Sequence, residues 1–284
     1  MRLIVESGAT KTAWRSVAAD GTVREALTAG LSPTCIDEDH CREIIRSAVP
    51  VLDPDGETVS DVYFYGAGIV SEDAASCLRS CLEMWCPFAH VEFHSDILAA
   101  ARALFGNGSG VVAIMGTGSN SCLYQDGKIV RNIRPGGYVL GDEGGGVSLG
   151  KAFLADFVKG LLPSEIEKEF VGKTGMDYPM VVRKVYKEPA ASAFMASIAP
   201  FVMERISHPY MRELVNDCVE AFVSRSLARY HSEGGSPDAR MVGVVGSFGC
   251  ACQEILIETG RRHGLEFVRF LKSPIDELVK YHGI

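Results

Sequence analysis

The sequence predicts an α/β protein of two domains, each built on a mixed β-sheet, with the two sheets facing each other across a cleft. Three observations predict it. The chain has 284 residues, too many for one ordinary core and well suited to two domains of roughly 100–150 residues. Each half opens with three short strands joined by tight turns. Each half then alternates helix and strand, so topology repeats with little repeat of sequence. Short loops favour antiparallel neighbours for the opening strands, and the later crossovers favour parallel ones.

The elements follow in order. Arg2–Val5 is short, apolar and β-branched, and predicts a strand. The tight turn Glu6-Ser7-Gly8-Ala9-Thr10-Lys11-Thr12 leads to a returning strand at Ala13–Ala18. After the turn Asp20-Gly21, Val23–Thr28 is the third strand. Asp37–Val49 has helical periodicity. Asp61–Tyr65 is a strand, and Ser71 is placed to cap a helix running to about Met84. Val91–His94 is a strand, and a helix opens at Ser95-Asp96 and runs to Phe105.

The pattern then restarts. Val111–Met115 is a fully apolar strand, followed by the turn Gly116-Thr117-Gly118-Ser119. Ser121–Tyr124 and Lys128–Arg131 flank a turn at Asp126-Gly127. A glycine-rich stretch from Gly136 to Gly150 leads into a helix, and residues 164–230 are helical in character throughout. Met241–Val245 is a strand, Gly246-Ser247-Phe248-Gly249 a turn, Ala251–His263 a helix, Val268–Leu271 a last strand and Ile275–Tyr281 a last helix. The domain boundary is expected near Gly106-Asn107-Gly108. The domains are then residues 1–106, joined by the C-terminal helix 274–284, and residues 107–273. That helix carries an apolar face of Ile275, Leu278 and Val279, which needs a partner, and it is expected to pack on the N-terminal domain.

Composition narrows the partners. Net charge is −8 with no basic block, which argues against nucleic acid. No apolar run approaches the ~18–20 residues that span a bilayer, so no membrane association is expected. The N-terminal strand runs straight into a glycine turn and does not read as a signal peptide. The nine irregularly spaced cysteines are then expected to be reduced thiols in a cytoplasmic protein.

The two strand–turn–strand units carry the chemistry. Small residues let backbone N–H groups approach an anion, and the hydroxyls of Thr10, Thr12, Thr117 and Ser119 add donors. Either turn alone reads as an ordinary hairpin; two at matching positions read as phosphate turns. Neither is a Walker loop or a dinucleotide fingerprint, because the spacing and the following helix are absent. Glu6 ends the first strand beside its turn, where a carboxylate can hold Mg²⁺ directly or through water. Asp96 reads either as a helix cap or as a base orienting a hydroxyl during phosphoryl transfer. Asp142-Glu143 lies among seven glycines between Gly136 and Gly150, a segment expected to be a loop without regular structure. His90 and His94 flank a strand without a third ligand at metal spacing. Cys77, Cys81 and Cys86 lie on or just after a helix and read as core or partly buried cysteine.

Taken together, Val5-Glu6-Ser7-Gly8-Ala9-Thr10-Lys11-Thr12, Gly30-Leu31-Ser32, Ser95-Asp96, Gly116-Thr117-Gly118-Ser119-Asn120, Gly141-Asp142-Glu143-Gly144 and Gly246-Ser247 resemble the motifs of the actin, sugar kinase and heat-shock chaperone ATPase superfamily. Within it the chain resembles the N-acetylglucosamine kinase branch, which also holds the activators of 2-hydroxyacyl-CoA dehydratases. The resemblance implies two ribonuclease H-like (actin-like ATPase) domains, each a mixed five-stranded sheet with helices, around a nucleotide cleft. It implies ATP with Mg²⁺, the metal at Glu6, and an amino sugar such as N-acetylglucosamine phosphorylated at its 6-hydroxyl. Gly8, Ala9, Thr10, Lys11 and Thr12, then Gly116, Thr117, Gly118 and Ser119, then Gly246, Ser247, Phe248 and Gly249 are the implied ATP-binding residues. Asp96 is the implied catalytic base. Thr34, Asp96, Asn120, Gly136, Gly137, Asp142 and Glu143 are the implied sugar residues.

Two departures bear on the sugar. Where the animal kinase has Thr-Asn after Gly-Leu-Ser, this chain has Pro33-Thr34, and Gly136 stands where that enzyme has a tryptophan. Two further readings share the resemblance: an ATPase activator with an iron–sulfur cluster shared across a dimer, and a sugar sensor without turnover. The activator needs cysteines exposed at a dimer interface. Asp96 and the lack of a helix–turn–helix before the first strand weigh against the sensor. A homodimer is left open.

Overall fold

The computed structural model describes residues 1–8, 10–31, 37–69, 75–87, 89–232 and 237–283. The expected positions Ala9, Thr34 and Ser71 lie outside them. The chain divides into two compact units: Met1–Asn107 with Ser273–Ile284, and Gly108–Lys272.

The first unit holds a sheet of β1 (Arg2–Ser7), β2 (Lys11–Val17), β3 (Val23–Ala29), β4 (Asp61–Gly66) and β5 (His90–Ser95), in the order β3-β2-β1-β4-β5. β1 pairs antiparallel with β2, and β2 with β3, because loops of three and five residues leave room only for reversal. β4 and β5 are parallel to β1, reached through α1 (Glu38–Leu52) and α2 (Ser76–Glu83). Asp37 caps α1 by accepting the His40 N–H at 2.9 Å. α3 (Asp96–Phe105) follows β5 without a gap, capped by Ser95, whose Oγ accepts the Leu98 N–H. Leu3, Val5, Trp14, Val62, Phe64, Leu78 and Leu82 form the core on the α1/α2 side.

The second unit repeats this topology with β6 (Gly110–Met115), β7 (Ser119–Gln125), β8 (Lys128–Ile133), β9 (Met241–Val245) and β10 (Glu266–Leu271), in the order β10-β9-β6-β7-β8. Asp126 and Gly127 both have positive φ (48° and 81°), the two-residue hairpin turn that Asp-Gly favours. The connection from β8 to β9 is almost wholly helical: α4 (Gly137–Leu140), α5 (Gly146–Lys159), α6 (Ser164–Thr174), α7 (Tyr178–Tyr186), α8 (Ala191–Ala196), α9 (Ala199–Met203), α10 (Pro209–Phe222) and α11 (Ala228–Ser232). A π-helical turn at Val223–Leu227 separates the last two. Its core joins β6 and β9 to a T-shaped aromatic cluster of Phe153, Phe157, Phe170 and Phe201. The helix expected at Ala251–His263 starts earlier and breaks once, into α12 (Ser247–Ala251) and α13 (Gln253–Arg262), with Cys252 at the joint.

Two mixed five-stranded sheets with their helices make the actin-like ATPase fold expected from the motifs. The last helix, α14 (Ile275–Tyr281), packs on α3, β1 and β2 of the first unit. Ile275, Leu278 and Val279 are buried there, and Asp276 pairs with Arg15 at 2.9 Å.

Candidate functional site

The first turn closes on itself. Gly8 N–H donates to the Lys11 carbonyl at 2.9 Å, and Ser7 pairs with Thr12 across the β1–β2 register. Their hydroxyls lie 2.7 Å apart, both fully buried. Thr12 Oγ1 donates to the Ala29 carbonyl (2.9 Å) and accepts the Leu31 N–H (3.1 Å). This corrects one expectation: the Thr12 hydroxyl is spent inside the unit, so it shapes the turn and offers no donor to an anion. Thr10 and Lys11 are the exposed side chains of this turn.

The second turn shows the same division. Ser119 Oγ donates to the Glu143 carbonyl at 2.6 Å, so this hydroxyl too is internal, while Thr117 is exposed. The backbone around it is stitched to the glycine-rich segment. Gly146 and Val147 N–H groups donate to the Gly116 and Thr117 carbonyls, each at 2.9 Å. The expectation of a loop without regular structure is therefore wrong for much of Gly136–Gly150. It contains α4 and the start of α5, and its glycines serve close approach: a Cβ at Gly145 would lie 2.7 Å from the Gly118 carbonyl carbon, and one at Gly150 would collide with the Met195 carbonyl.

Asp142 sits on this turn. It has a left-handed backbone (φ 58°), and a Cβ at Gly118 would lie 2.9 Å from its Oδ2. Burial pushes its carboxyl up, opposed by the Ser119 N–H, which donates to Oδ1 at 3.4 Å. Lys151 also lowers it and donates to the Tyr138 carbonyl at 3.2 Å. Glu143 is ion-paired to Arg225 at 2.8 Å, which leaves Asp142 the better placed of the two for a neutral ligand. Neither Lys151 nor Arg225 was legible in the sequence, since no local spacing links them to Asp142-Glu143. Asn120 Oδ1 accepts from Ser121 N–H and from Asn132 Nδ2, so only its Nδ2 end can serve a substrate. Gly136 and Gly137, both at positive φ, form the bend that enters α4.

The third turn is brought against the second. Gly246, at φ 126°, packs on the Met115 carbonyl and the Gly116 nitrogen, and its N–H donates to the Leu271 carbonyl at 2.8 Å. Phe248 and Gly249 are buried in the core, so the surface expected from this turn reduces to Gly246 and Ser247. Gly246→Ala is expected to destabilise the chain by about 1–3 kcal/mol, from the clash and the strained φ together. An unchanged denaturant midpoint would contradict this packing.

In the first unit, Glu6 and Asp96 stand at the carboxyl ends of the parallel strands β1 and β5. Asp96 Oδ1 accepts the Ile97 N–H at 2.8 Å, which commits that oxygen to the backbone at the start of α3. Burial raises its carboxyl above the ordinary value, against the pull of backbone N–H groups. Burial also raises Glu6, to about 7, with Lys11 opposing and the Asp96 charge adding to the rise. Two partly dehydrated carboxylates beside one lysine fit a divalent cation. The sign of the linkage is clear. A carboxyl raised from 4.5 to about 7 costs the fold stability as pH rises through that window, and the cost is complete above it. Glu6→Gln is therefore expected to raise the melting temperature at pH 8 without Mg²⁺ and to leave it little changed at pH 4. A lower melting temperature at pH 8 would contradict the buried charge.

Of the two histidines of β5, His90 is exposed and His94 partly buried, and both hydrogen-bond the Glu92 carboxylate, at 3.3 and 2.9 Å. Cys86 and Cys81 are buried and Cys77 half-buried.

No protein-family model matches the chain, and no curated protein does. Solved structures do. A provisionally named N-acetylglucosamine kinase from Porphyromonas gingivalis is 33% identical, with 99% of this chain and 98% of that one covered and a TM-score of 0.91. A provisionally named N-acetylglucosamine kinase from Chromobacterium violaceum is 18% identical over 99% and 98%, with a TM-score of 0.74. A ROK family glucokinase from Streptomyces griseus, solved with glucose and AMPPNP, is 16% identical over 99% and 97%, with a TM-score of 0.59. The last two are likenesses of fold.

Proposed function

The chain belongs to the N-acetylglucosamine kinase-like branch of the actin-like ATPase and sugar kinase superfamily, and from that premise we propose that it phosphorylates an amino sugar with ATP, N-acetylglucosamine at its 6-hydroxyl being the first choice. The observation that carries this reading is the packing in the second unit: the Gly246-Ser247 turn and Asp142 both lie against the Gly116–Ser119 turn. One small-residue turn with an exposed hydroxyl, one glycine platform and one carboxylate thus share a single patch.

In this reading the exposed residues Thr10, Lys11 and Thr117, with the half-buried Gly8, Gly116 and Gly118, take the phosphates, and Gly246-Ser247 takes the nucleoside. Asp142, with Asn120, binds sugar hydroxyls. Asp96 accepts the proton of the attacking hydroxyl as the sugar O–P bond forms and the bond from the γ-phosphorus to the β–γ bridging oxygen breaks. Mg²⁺, held by Glu6, would neutralise charge developing on the phosphates. Asp96 is suited to its part because one oxygen is fixed by a backbone N–H and burial raises its basicity. No helix among the described residues is long and apolar enough to cross a membrane. A cytoplasmic location remains part of the proposal, and the homodimer stays open.

Thr10→Val and Thr117→Val are expected to weaken ATP and leave sugar binding nearly unchanged, read by calorimetry with each ligand. Unchanged nucleotide affinity in both would reduce the two turns to hairpins. The sugar itself is tested by coupled ADP release over N-acetylglucosamine, glucosamine, N-acetylmannosamine, anhydro-N-acetylmuramic acid and glucose. Stimulation by an N-acetylated hexosamine above the others supports the reading. A preference for glucose, or no stimulation by any, contradicts it.

A further inference from the structure

Cys41, Cys77 and Cys81 meet where α1 packs on α2, and no step of the proposed reaction uses them. Cys41 lies in the first turns of α1, and Cys77 and Cys81 are one turn apart on one face of α2. Their three sulfur atoms all lie within 4.8 Å of one another. Three points so placed fit inside a circle of radius 4.8/√3, about 2.8 Å, while a zinc–thiolate bond is roughly 2.3 Å. Drawing the sulfurs onto one ion therefore asks about half an ångström of each, within reach of small side-chain rotations. Cys41 and Cys81 are buried and Cys77 is half-buried. An ion can thus enter past Cys77, and water can complete its coordination there. Glu38, in the first turn of α1 and ion-paired to Arg42, places a carboxylate near Cys77.

We propose that Cys41, Cys77 and Cys81 form a three-thiolate site for zinc or a similarly thiophilic divalent cation, stapling α1 to α2. Nitrogen and carboxylate ligands are absent from this group among the described residues, so hard cations such as Mg²⁺ are excluded from it. Without a cation, burial and the neighbouring thiols hold the Cys41 thiol far above its usual value and raise that of Cys77. Cys41 and Cys77 are then protonated at neutral pH, and metal binding must release their protons. The role is structural, so it neither requires nor alters the kinase reading.

Cobalt(II) is the probe, because its thiolate complexes absorb intensely in the near ultraviolet. The full chain is reduced, stripped with a chelator and titrated with cobalt(II), then with zinc(II). The expected result is a sulfur-to-cobalt band saturating at one ion per chain, abolished by stoichiometric zinc, with a zinc-dependent rise in melting temperature. Cys77→Ser is expected to weaken cobalt binding at least tenfold and to erase the zinc-dependent rise. Cys86→Ser, which removes a buried thiol of the same unit outside the group, is expected to keep both. No band in the unsubstituted chain overturns the site. So does a band that saturates in Cys77→Ser at the same cobalt concentration as in the unsubstituted chain, or one lost in folded Cys86→Ser.

Discussion

Asp96→Asn is expected to lower turnover by roughly 10²–10⁴-fold while ATP affinity stays within a few-fold, the usual scale for loss of a general base. Asparagine keeps the oxygen that accepts the Ile97 N–H at 2.8 Å, so the start of α3 should be unchanged. What it removes is the capacity of Oδ2 to take a proton. The raised carboxyl adds a second signature. In the unsubstituted enzyme, turnover should fall in acid as Asp96 is protonated, with a midpoint above that of an ordinary aspartate. The residual activity of Asp96→Asn should lack that limb. Near-normal turnover in the variant, measured by ADP release at saturating sugar, would remove Asp96 from the mechanism.

The second large effect concerns α14. Deleting residues 274–284 strips buried Ile275, Leu278 and Val279 from the first unit. At about 1.5–3 kcal/mol per buried aliphatic side chain, roughly 5 kcal/mol of burial is lost, a large share of ordinary domain stability. Polar contacts go with it. His282 stacks on Tyr63 with ring centroids 3.7 Å apart and hydrogen-bonds Tyr65 at 2.8 Å, and Arg102 lies over the Tyr281 ring. The melting temperature should drop by more than about 10 °C. Leu278→Ala alone should cost about 2–5 kcal/mol. A truncated chain that melts within about 2 °C of the original would make the helix an ornament.

Much of the fold was legible because its signals are local. Alternating apolar residues, the Asp126-Gly127 turn and the capping residues Asp37 and Ser95 each act within a few positions, and every one lies in the element expected of it. The site was legible as a set of turns, less so as chemistry. A hydroxyl on a turn reads as a donor in sequence, whether it faces out like Thr10 and Thr117 or inward like Thr12 and Ser119. Only the Ala29 and Glu143 carbonyls, distant in sequence, decide which. Phe248 looked like part of a nucleotide platform and is buried instead, because α12 starts at Ser247 and turns the ring into the core. Gly150 sits inside a helix, where its cost is offset by the close approach of α8. Cys41 joins Cys77 and Cys81 across two helices, and no spacing rule carries that distance.

The central claim is phosphoryl transfer to a sugar, and the product itself tests it most directly. The enzyme is incubated with Mg²⁺, ATP and N-acetylglucosamine, and the mixture is read by phosphorus–proton correlation. The account predicts one hexosamine monophosphate for each ADP formed, with its phosphorus coupled to the two protons on carbon 6. ADP accompanied only by inorganic phosphate, at a rate indifferent to any sugar, would contradict it.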